Sequence, residues 1–503
     1  MKNLLEIAQI VNKKRVKKIE IFDEQSLKNN KSKFNEFYNA LMAKKFKNDR
    51  DAASSLYKCS PTDAKYRQLK SRFKKRLLNT IFFLDVNKPA TANYDRAYFS
   101  CNKDWTLVKI LLTYKANLTA TTLAKQTLTT ALKFKFADVI VNCARILREQ
   151  ASKNKNFKDY EVYDSYIKQF SNILEAEIRS EELYQRVFME YYTPIETEEK
   201  LLERMEAYCD ALVSLSEMYE SPVVYYNMYL VWVLRFEMSQ DFNSMLEVCQ
   251  QAEQYVEDNP SYLQEEKLIT FYTKKMSAYL HLGDYRNGKT SAEICLRTLP
   301  NKTKDWFFFM EYYLLLAIHT ENYIQAIAIY QQASENQRYK KLDETTREKW
   351  KLFDHYLEFI VESEGKKNPI LQKQRGKNIR SNKIVNANIS YPKNLKIFGI
   401  LRLILQVLLL LERNNSIGIN ERIDQLKALI SRPAKNEEFY RLRSFVKLLQ
   451  QLKRSDYQMD ELRNTEKYLG VLIETPFFYR GVTNDLEIIP FEKIWKMILG
   501  YLE

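Results

Sequence analysis

Apolar side chains recur every three or four residues in the N-terminal part of the chain, the spacing that places them on one face of a helix. The stripe consists of Tyr66, Leu69, Phe73, Leu77, Ile81 and Leu84. Ser60, Pro61 and Asp63 precede it and have the pattern of a helix start, with Ser60 as the N-cap and Pro61 at the first helical position. We therefore predict an amphipathic helix that begins at Pro61 and buries this stripe.

The helical periodicity continues along most of the chain. Thr193–Pro194 and Ser221–Pro222 are further start signals, the first for a helix that runs to Tyr219. The segment Ile397–Leu411 is very apolar, but it is shorter than the roughly 20 residues that span a bilayer and contains two polar residues, so we interpret it as a buried core helix. Other helices are predicted over residues 118–132, 136–149, 159–192, 394–413, 418–432, 436–453, 457–472 and 489–502.

Composition favours a fold built of helices. The chain has 503 residues, of which 45% are hydrophobic and 13% aromatic, so it can bury a sizeable core. Only 9 glycines and 11 prolines occur, fewer than most all-β folds and most Gly-rich nucleotide-binding folds need. We predict an all-α fold.

Three helix–turn–helix units align between about Pro222 and Lys340. In the clearest unit, Leu282, Gly283, Asp284 and Tyr285 lie at a turn, Gly288, Ala292 and Cys295 follow at helical spacing, and Pro300 closes the unit. The same register recurs upstream and downstream, at Phe242, Met245, Cys249 and Ala252 and at Tyr323, Ala326, Tyr330 and Ala333.

The unit around Gly283 resembles the second half of a tetratricopeptide repeat (TPR). The turn aromatics Phe242, Tyr285 and Tyr323 lie 43 and 38 residues apart, whereas a regular TPR has a period of about 34 residues. The resemblance implies a degenerate TPR-like α-solenoid of antiparallel helix pairs, in which small residues allow close helix packing. In such proteins the first helix of each pair lines a groove that binds partners. By this resemblance the candidate groove residues are Tyr226, Tyr229, Tyr272, Lys275, Tyr279, Glu311 and Tyr312.

The positive charge is concentrated in two stretches. The whole chain has 79 Lys and Arg against 64 Asp and Glu, a net charge of +15. Residues 1–85 alone carry a net charge of +12, and residues 365–398 carry +9 with no acidic residue, so the remainder is mildly acidic. We predict four segments: a basic helical N-terminal region (1–90), the TPR-like solenoid (91–364), a basic linker or long loop (365–394) and a helical C-terminal block (395–503).

Much of the N-terminal charge flanks the apolar stripe, at Lys65, Arg67, Lys70, Arg72, Lys74, Lys75 and Arg76. Three interpretations stay open: a solvated or internally paired face, a nucleic-acid contact, and a contact with an acidic protein. No zinc-finger spacing or RNA-binding signature accompanies these residues.

Gly283–Thr290 matches the P-loop pattern GxxxxGK[ST]. A P-loop needs a preceding buried strand, but Glu265–Leu282 reads as an amphipathic helix, so we interpret both glycines as part of the repeat. His281 and His319 occupy equivalent positions in successive repeats, which the repeat explains better than metal binding does. We predict no catalytic, cofactor-binding or metal-binding residues.

Six scattered cysteines without a CxxC pair and the lack of a secretory signal pattern favour the cytoplasm, and enrichment in Lys, Asn, Ile and Tyr suggests an AT-rich, bacterial genome. Our leading hypothesis is a non-catalytic scaffold or adaptor that binds a protein partner. The alternatives are a nucleic-acid-binding accessory protein and a solenoid regulator that senses a peptide or metabolite.

Overall fold

The computed structural model describes residues 32–43, 45, 46, 48–81, 93–193, 197–262, 265–299, 303–365, 368–371, 384, 385, 395–430 and 439–502. Every regular element in these ranges is an α-helix or a short 3-10 helix, which confirms the all-α prediction. The chain divides into two compact units, residues 1–175 with 261–263, and residues 176–260 with 264–503.

In the first unit, α1, α2 and α3 pack on one another around a small core that includes Phe37, Leu41, Ala53, Tyr66 and Phe73. The helix α5 packs against both α4 and α6, and its buried alanines allow that close approach. The helices of this unit are α1 (Lys33–Met42), α2 (Asp49–Tyr57), α3 (Ala64–Ile81), α4 (Asn93–Thr113), α5 (Asn117–Phe134), α6 (Ala137–Lys153) and the first part of α7 (Phe157–Tyr192).

The start of α3 differs from the prediction. The helix begins at Ala64, and Asp63 is its cap: the Asp63 carboxylate accepts the Lys65 N–H at 2.9 Å, and its carbonyl oxygen accepts the Arg67 N–H at 3.0 Å. Ser60 instead hydrogen-bonds Thr62 within the preceding turn. The Ser60 cap prediction is wrong because a carboxylate directly before the helix satisfies the free N–H groups and also favours the positive end of the helix dipole.

The predicted stripe on α3 is otherwise correct where it is described. Tyr66, Phe73 and Leu77 are buried, and Leu69 is partly buried against the same core. The side chain of Ile81, and Leu84 as a whole, lie outside the described residues.

The second unit contains the rest of the chain. Most of its helices contact their neighbours in sequence, and α11 also packs against α13. The helices after α7 are α8 (Glu198–Met218), α9 (Pro222–Met238), α10 (Phe242–Asp258), α11 (Glu265–Leu282), α12 (Tyr285–Thr298), α13 (Lys304–His319), α14 (Tyr323–Glu335), α15 (Glu344–Gly365), α16 (Lys396–Leu411), α17 (Ser416–Ile430), α18 (Tyr440–Arg454), α19 (Thr465–Glu474) and α20 (Phe491–Leu502).

The predicted turn at Gly283 is confirmed, since α11 ends at Leu282 and α12 begins at Tyr285. Gly283 has φ +65°, a left-handed conformation that glycine adopts at little cost. At Gly288 a Cβ atom would lie 2.5 Å from Leu316 Cδ2 and 3.1 Å from Tyr279 Cβ. Gly288 therefore lets α12 approach both α11 and α13 closely. Pro300, predicted to close the unit, lies outside the described residues.

In the C-terminal block the apolar helix α16 is confirmed as a core helix, with nearly all of its side chains buried. The predicted helix over 457–472 is wrong at its start. Asp456 and Tyr457 both have positive φ, which a right-handed helix excludes, so a 3-10 turn at Met459–Glu461 precedes α19. Of residues 365–394, only 365, 368–371, 384 and 385 are described, and Leu371, Ile384 and Val385 among them are buried. Among the described residues no helix is long and apolar enough to cross a membrane.

Candidate functional site

Residues 475–490, between α19 and α20, form an irregular segment that covers one face of α11 and α13. Pro476 cannot continue a helix and biases Thr475 toward an extended conformation, so α19 ends at Glu474. Three aromatic residues, Phe477, Phe478 and Tyr479, follow at once. We call the surface that this segment contacts the covered face; it consists of His281, Phe308, Glu311, Tyr312 and His319.

Tyr479 is fully buried. Its hydroxyl donates a hydrogen bond to Glu311 Oε1. Lys349 of α15 donates to the same carboxylate, at 2.8 and 3.0 Å, and its Nζ lies 3.3 Å from the Tyr479 hydroxyl oxygen. Burial raises the pKa of Tyr479 well above its usual value, so the phenol stays protonated and remains a donor.

Two histidines hold the backbone of the segment. His281 Nε2 accepts the Tyr479 N–H at 2.9 Å, so its Nδ1 carries the proton and donates to the Ser277 carbonyl oxygen at 2.7 Å. His319 Nε2 donates to the Glu487 carbonyl oxygen at 2.8 Å. Burial lowers the pKa of His281 to about 4 and that of His319 to about 3, so both rings are neutral at pH 7.

Aromatic contacts surround these hydrogen bonds. The ring of Phe477 lies 5.6 Å from that of His281 and 4.7 Å from that of His319, and Phe242 stacks on His281 at 4.4 Å. Both histidines lie in the last turn of their helices and contact the same aromatic side chain of the segment.

The segment turns at Gly481, which has φ +80°. A Cβ atom there would meet the end of the Phe308 ring, which would have to shift to accommodate it. The adjacent Arg480 places its guanidinium 5.5 Å from the ring centroids of both Tyr191 and Phe478.

The predicted groove residues fall into two groups. Tyr226, Tyr229 and Tyr272 are half-buried, and the first two lie against Phe271 at 5.7 and 6.5 Å. The others are buried: Glu311 and Tyr312 beneath the segment, Lys275 in an ion pair with Glu253 at 2.8 Å, and Tyr279 near Gly288. Tyr479 and Lys349, which complete the site, were not among the predicted residues.

The seven basic residues of α3 are not equivalent. Lys70 is paired with Asp49 at 2.7 Å, and Tyr66 donates to the same carboxylate at 2.6 Å. Although burial alone would raise it, these hydrogen bonds lower the pKa of Asp49 to about 2. Arg76 lies over the ring of Phe34 at 5.0 Å. The other five are exposed: Lys65, Arg67, Arg72, Lys74 and Lys75.

The P-loop-like string lies at the start of α12 and follows a helix, as predicted, rather than a strand. The side chain of Lys289 is 43% exposed, and its Nζ lies 3.8 Å from Glu293 Oε1. No group of three or more His, Cys, Asp and Glu side chains among the described residues is arranged to hold a metal ion. All six cysteines are free thiols, and five of them are buried.

Comparison with known proteins gives no relative: no protein family, curated protein or solved structure matches this chain.

Proposed function

We propose that the protein is a non-catalytic scaffold or adaptor whose second unit is a degenerate TPR-like α-solenoid that binds an extended peptide of a protein partner. Sequential packing from α8 to α15, and the turn and small-residue register around Gly283, support the solenoid. Six unpaired cysteines suit a reducing compartment, and the proposal places the protein in the cytoplasm.

One observation carries the proposal: the covered face already holds a peptide segment. It provides hydrogen bonds to the backbone of the segment through His281 and His319, and a buried polar site for a tyrosine hydroxyl at Glu311 and Lys349. Aromatic rings flank both features. Backbone hydrogen bonds with side-chain pockets beside them are the means by which proteins recognise extended peptides.

On this proposal residues 475–490 are the ligand that the chain supplies to itself. A partner peptide that binds the same face competes with a segment tethered at both ends, and a tether gives that segment a high effective concentration. The partner's affinity should therefore rise when the segment's own contacts are weakened.

The experiment uses a labelled synthetic peptide with the sequence of residues 475–490 and measures its binding to the full-length protein by fluorescence anisotropy. We expect little binding to the wild type and clear binding to Phe477→Ala/Tyr479→Ala, in which the tethered segment is weakened. Adding Glu311→Gln to that variant should reduce binding about tenfold, since one charge-assisted hydrogen bond is worth about 1.5–3 kcal/mol.

Met245→Ala is the matched control, because Met245 is buried in α10, in a separate hydrophobic cluster from the covered face. It removes core packing from the same unit without touching the segment. If it promotes peptide binding as strongly as Phe477→Ala/Tyr479→Ala does, general loosening explains the result and the proposal is wrong. Nucleotide turnover that Lys289→Ala abolishes would contradict the non-catalytic part.

A further inference from the structure

The outer side of α3 carries an unusual set of side chains for a solvated helix. Its 18 residues include seven cations and no acidic residue. Lys70 is paired with Asp49, whereas no salt bridge to another described residue is formed by the exposed cations Lys65, Arg67, Arg72, Lys74 and Lys75. On other helices some exposed cations are paired along the helix, as Arg179 and Arg186 are with Glu182.

This arrangement costs stability unless an external anion compensates. Like charges three or four residues apart on a helix repel each other by a few tenths of a kcal/mol, and the exposed Arg72 and Lys75 form such a pair. The core side of α3 cannot relieve the repulsion, because Tyr66, Phe73 and Leu77 occupy it. The exposed charge of this helix is therefore complementary to an anionic partner.

The exposed side chains form three parallel rows. At 100° per residue, Gln68, Ser71 and Lys75 lie near the centre of the face opposite the core. Arg67 and Lys74 follow one edge, and Lys65 and Arg72 follow the other; all seven are exposed. Residues seven apart in a row are separated by about 10.5 Å along the helix, the rise of roughly three base pairs.

These dimensions fit one class of ligand. An α-helix with its side chains is about 10–12 Å wide, and the major groove of B-form DNA is about 12 Å wide with a phosphate backbone on each side. Cations on both edges then face the two backbones, while the amide of Gln68 and the hydroxyl of Ser71 face the base edges. Both are hydrogen-bonding groups that read bases in this groove.

Other nucleic acids fit less well. Single strands are bound by exposed aromatic rings on which bases stack, whereas the aromatic residues of α3, Tyr66 and Phe73, are buried. The major groove of duplex RNA is too deep and narrow for side chains to read. In addition, α2 and α3 are joined by residues 58–63 and both pack on α1, so a small helical core supports α3 from its buried side.

We propose that α3 is a recognition helix for duplex DNA, in which Arg67, Lys74, Lys65 and Arg72 bind phosphates and Gln68 and Ser71 contact bases. This site is independent of the covered face and adds a second ligand to the scaffold.

The test measures binding of the full-length protein to a mixed-sequence DNA duplex of about 20 base pairs and to a single strand of equal length, between 50 and 200 mM salt. The test variant is Arg67→Gln/Arg72→Gln/Lys74→Gln. The control is Lys125→Gln/Arg145→Gln/Lys158→Gln, which removes three exposed cations from the same unit. We expect the test variant to bind the duplex about a hundredfold more weakly near 100 mM salt, with a salt slope lower by about 3, and the control to resemble the wild type.

A second variant, Gln68→Ala/Ser71→Ala, separates binding of the phosphates from recognition of the bases. Its affinity for mixed-sequence duplex and its salt slope should stay within about threefold and 0.5 unit of the wild type. In selection from a randomised duplex library, the wild type should enrich a sequence preference that this variant lacks. The proposal is overturned if the wild type does not bind duplex at 50 mM salt, prefers the single strand, or loses affinity equally in the test and control variants. If the wild type enriches no sequence in this selection, the proposed base contacts are wrong.

Discussion

Removal of the Lys349 ammonium should destabilise the second unit strongly. Lys349 and Glu311 form an ion pair in which the side chains are 8% and 2% exposed. In Lys349→Met the glutamate stays buried and keeps only the Tyr479 hydroxyl as a partner. Breaking a buried ion pair from one side typically costs about 3–5 kcal/mol, because the remaining charge is neither paired nor hydrated. We expect a loss in this range.

The chain offers a close control on the same helix. Lys351 is 49% exposed and pairs with Glu348 at 2.5 Å, so Lys351→Met makes the same chemical change at the surface. Exposed pairs contribute little, and this variant should lose less than about 1 kcal/mol. Urea unfolding followed by tryptophan fluorescence suits the comparison, since four of the five tryptophans, including Trp350 beside Lys349, lie in the second unit.

A double substitution tests the cause. In Glu311→Gln/Lys349→Met the buried charge is gone, while the Gln carbonyl still accepts the Tyr479 hydroxyl. The double variant should therefore be more stable than Lys349→Met alone, with a coupling energy of about 2–3 kcal/mol. The reasoning fails if Lys349→Met and Lys351→Met cost the same, or if the Glu311 and Lys349 substitutions are additive.

Three further predictions concern single positions. Gly481→Ala should cost about 1–3 kcal/mol more than Gly283→Ala in urea unfolding, because both have positive φ but only Gly481 also meets a side chain, Phe308. With pKa values near 4 in the folded protein and about 6.5 when unfolded, His281 binds its proton more tightly after unfolding. The contribution of His281 to the free energy of unfolding therefore falls by about 2 kcal/mol between pH 7.5 and pH 5. His281→Phe should flatten the pH dependence of the free energy of unfolding in that window. Asp63→Ala should lower the free energy of unfolding of the first unit by about 1 kcal/mol and Ser60→Ala should leave it nearly unchanged, a comparison that reverses if Ser60 is the cap of α3.

Local features of the fold were predictable because they depend on neighbouring residues. The spacing of Tyr66, Phe73 and Leu77 predicted which side of α3 is buried, and the Gly283 turn followed from residues adjacent in sequence. The wrong prediction of Ser60 as the N-cap of α3 also rested on neighbouring residues. Two residue types that cap helices equally well lie three positions apart, and propensity alone does not choose between them.

The composition of the covered face was only partly predictable, for a physical reason. Glu311 and Tyr312 are groove candidates by the TPR resemblance, which implies that the first helix of each pair lines a groove. Periodicity reports how a helix packs on its neighbours, but the Tyr479–Glu311 and Tyr479–His281 contacts join residues 168 and 198 positions apart. A local sequence pattern carries no information about contacts between residues that are so far apart in the sequence.

Some sign of the segment was nonetheless present in the sequence. Pro476 and Gly481 bracket three consecutive aromatic residues between two helices, and a short loop rarely exposes three large rings to water, because their burial contributes several kcal/mol. Such a loop must cover some surface, and the surface must offer rings and hydrogen-bonding groups. In this chain α11 and α13 provide those groups, at His281, Glu311 and His319. The aromatic residues of the segment and the polar and aromatic residues of these two helices are therefore complementary within one chain.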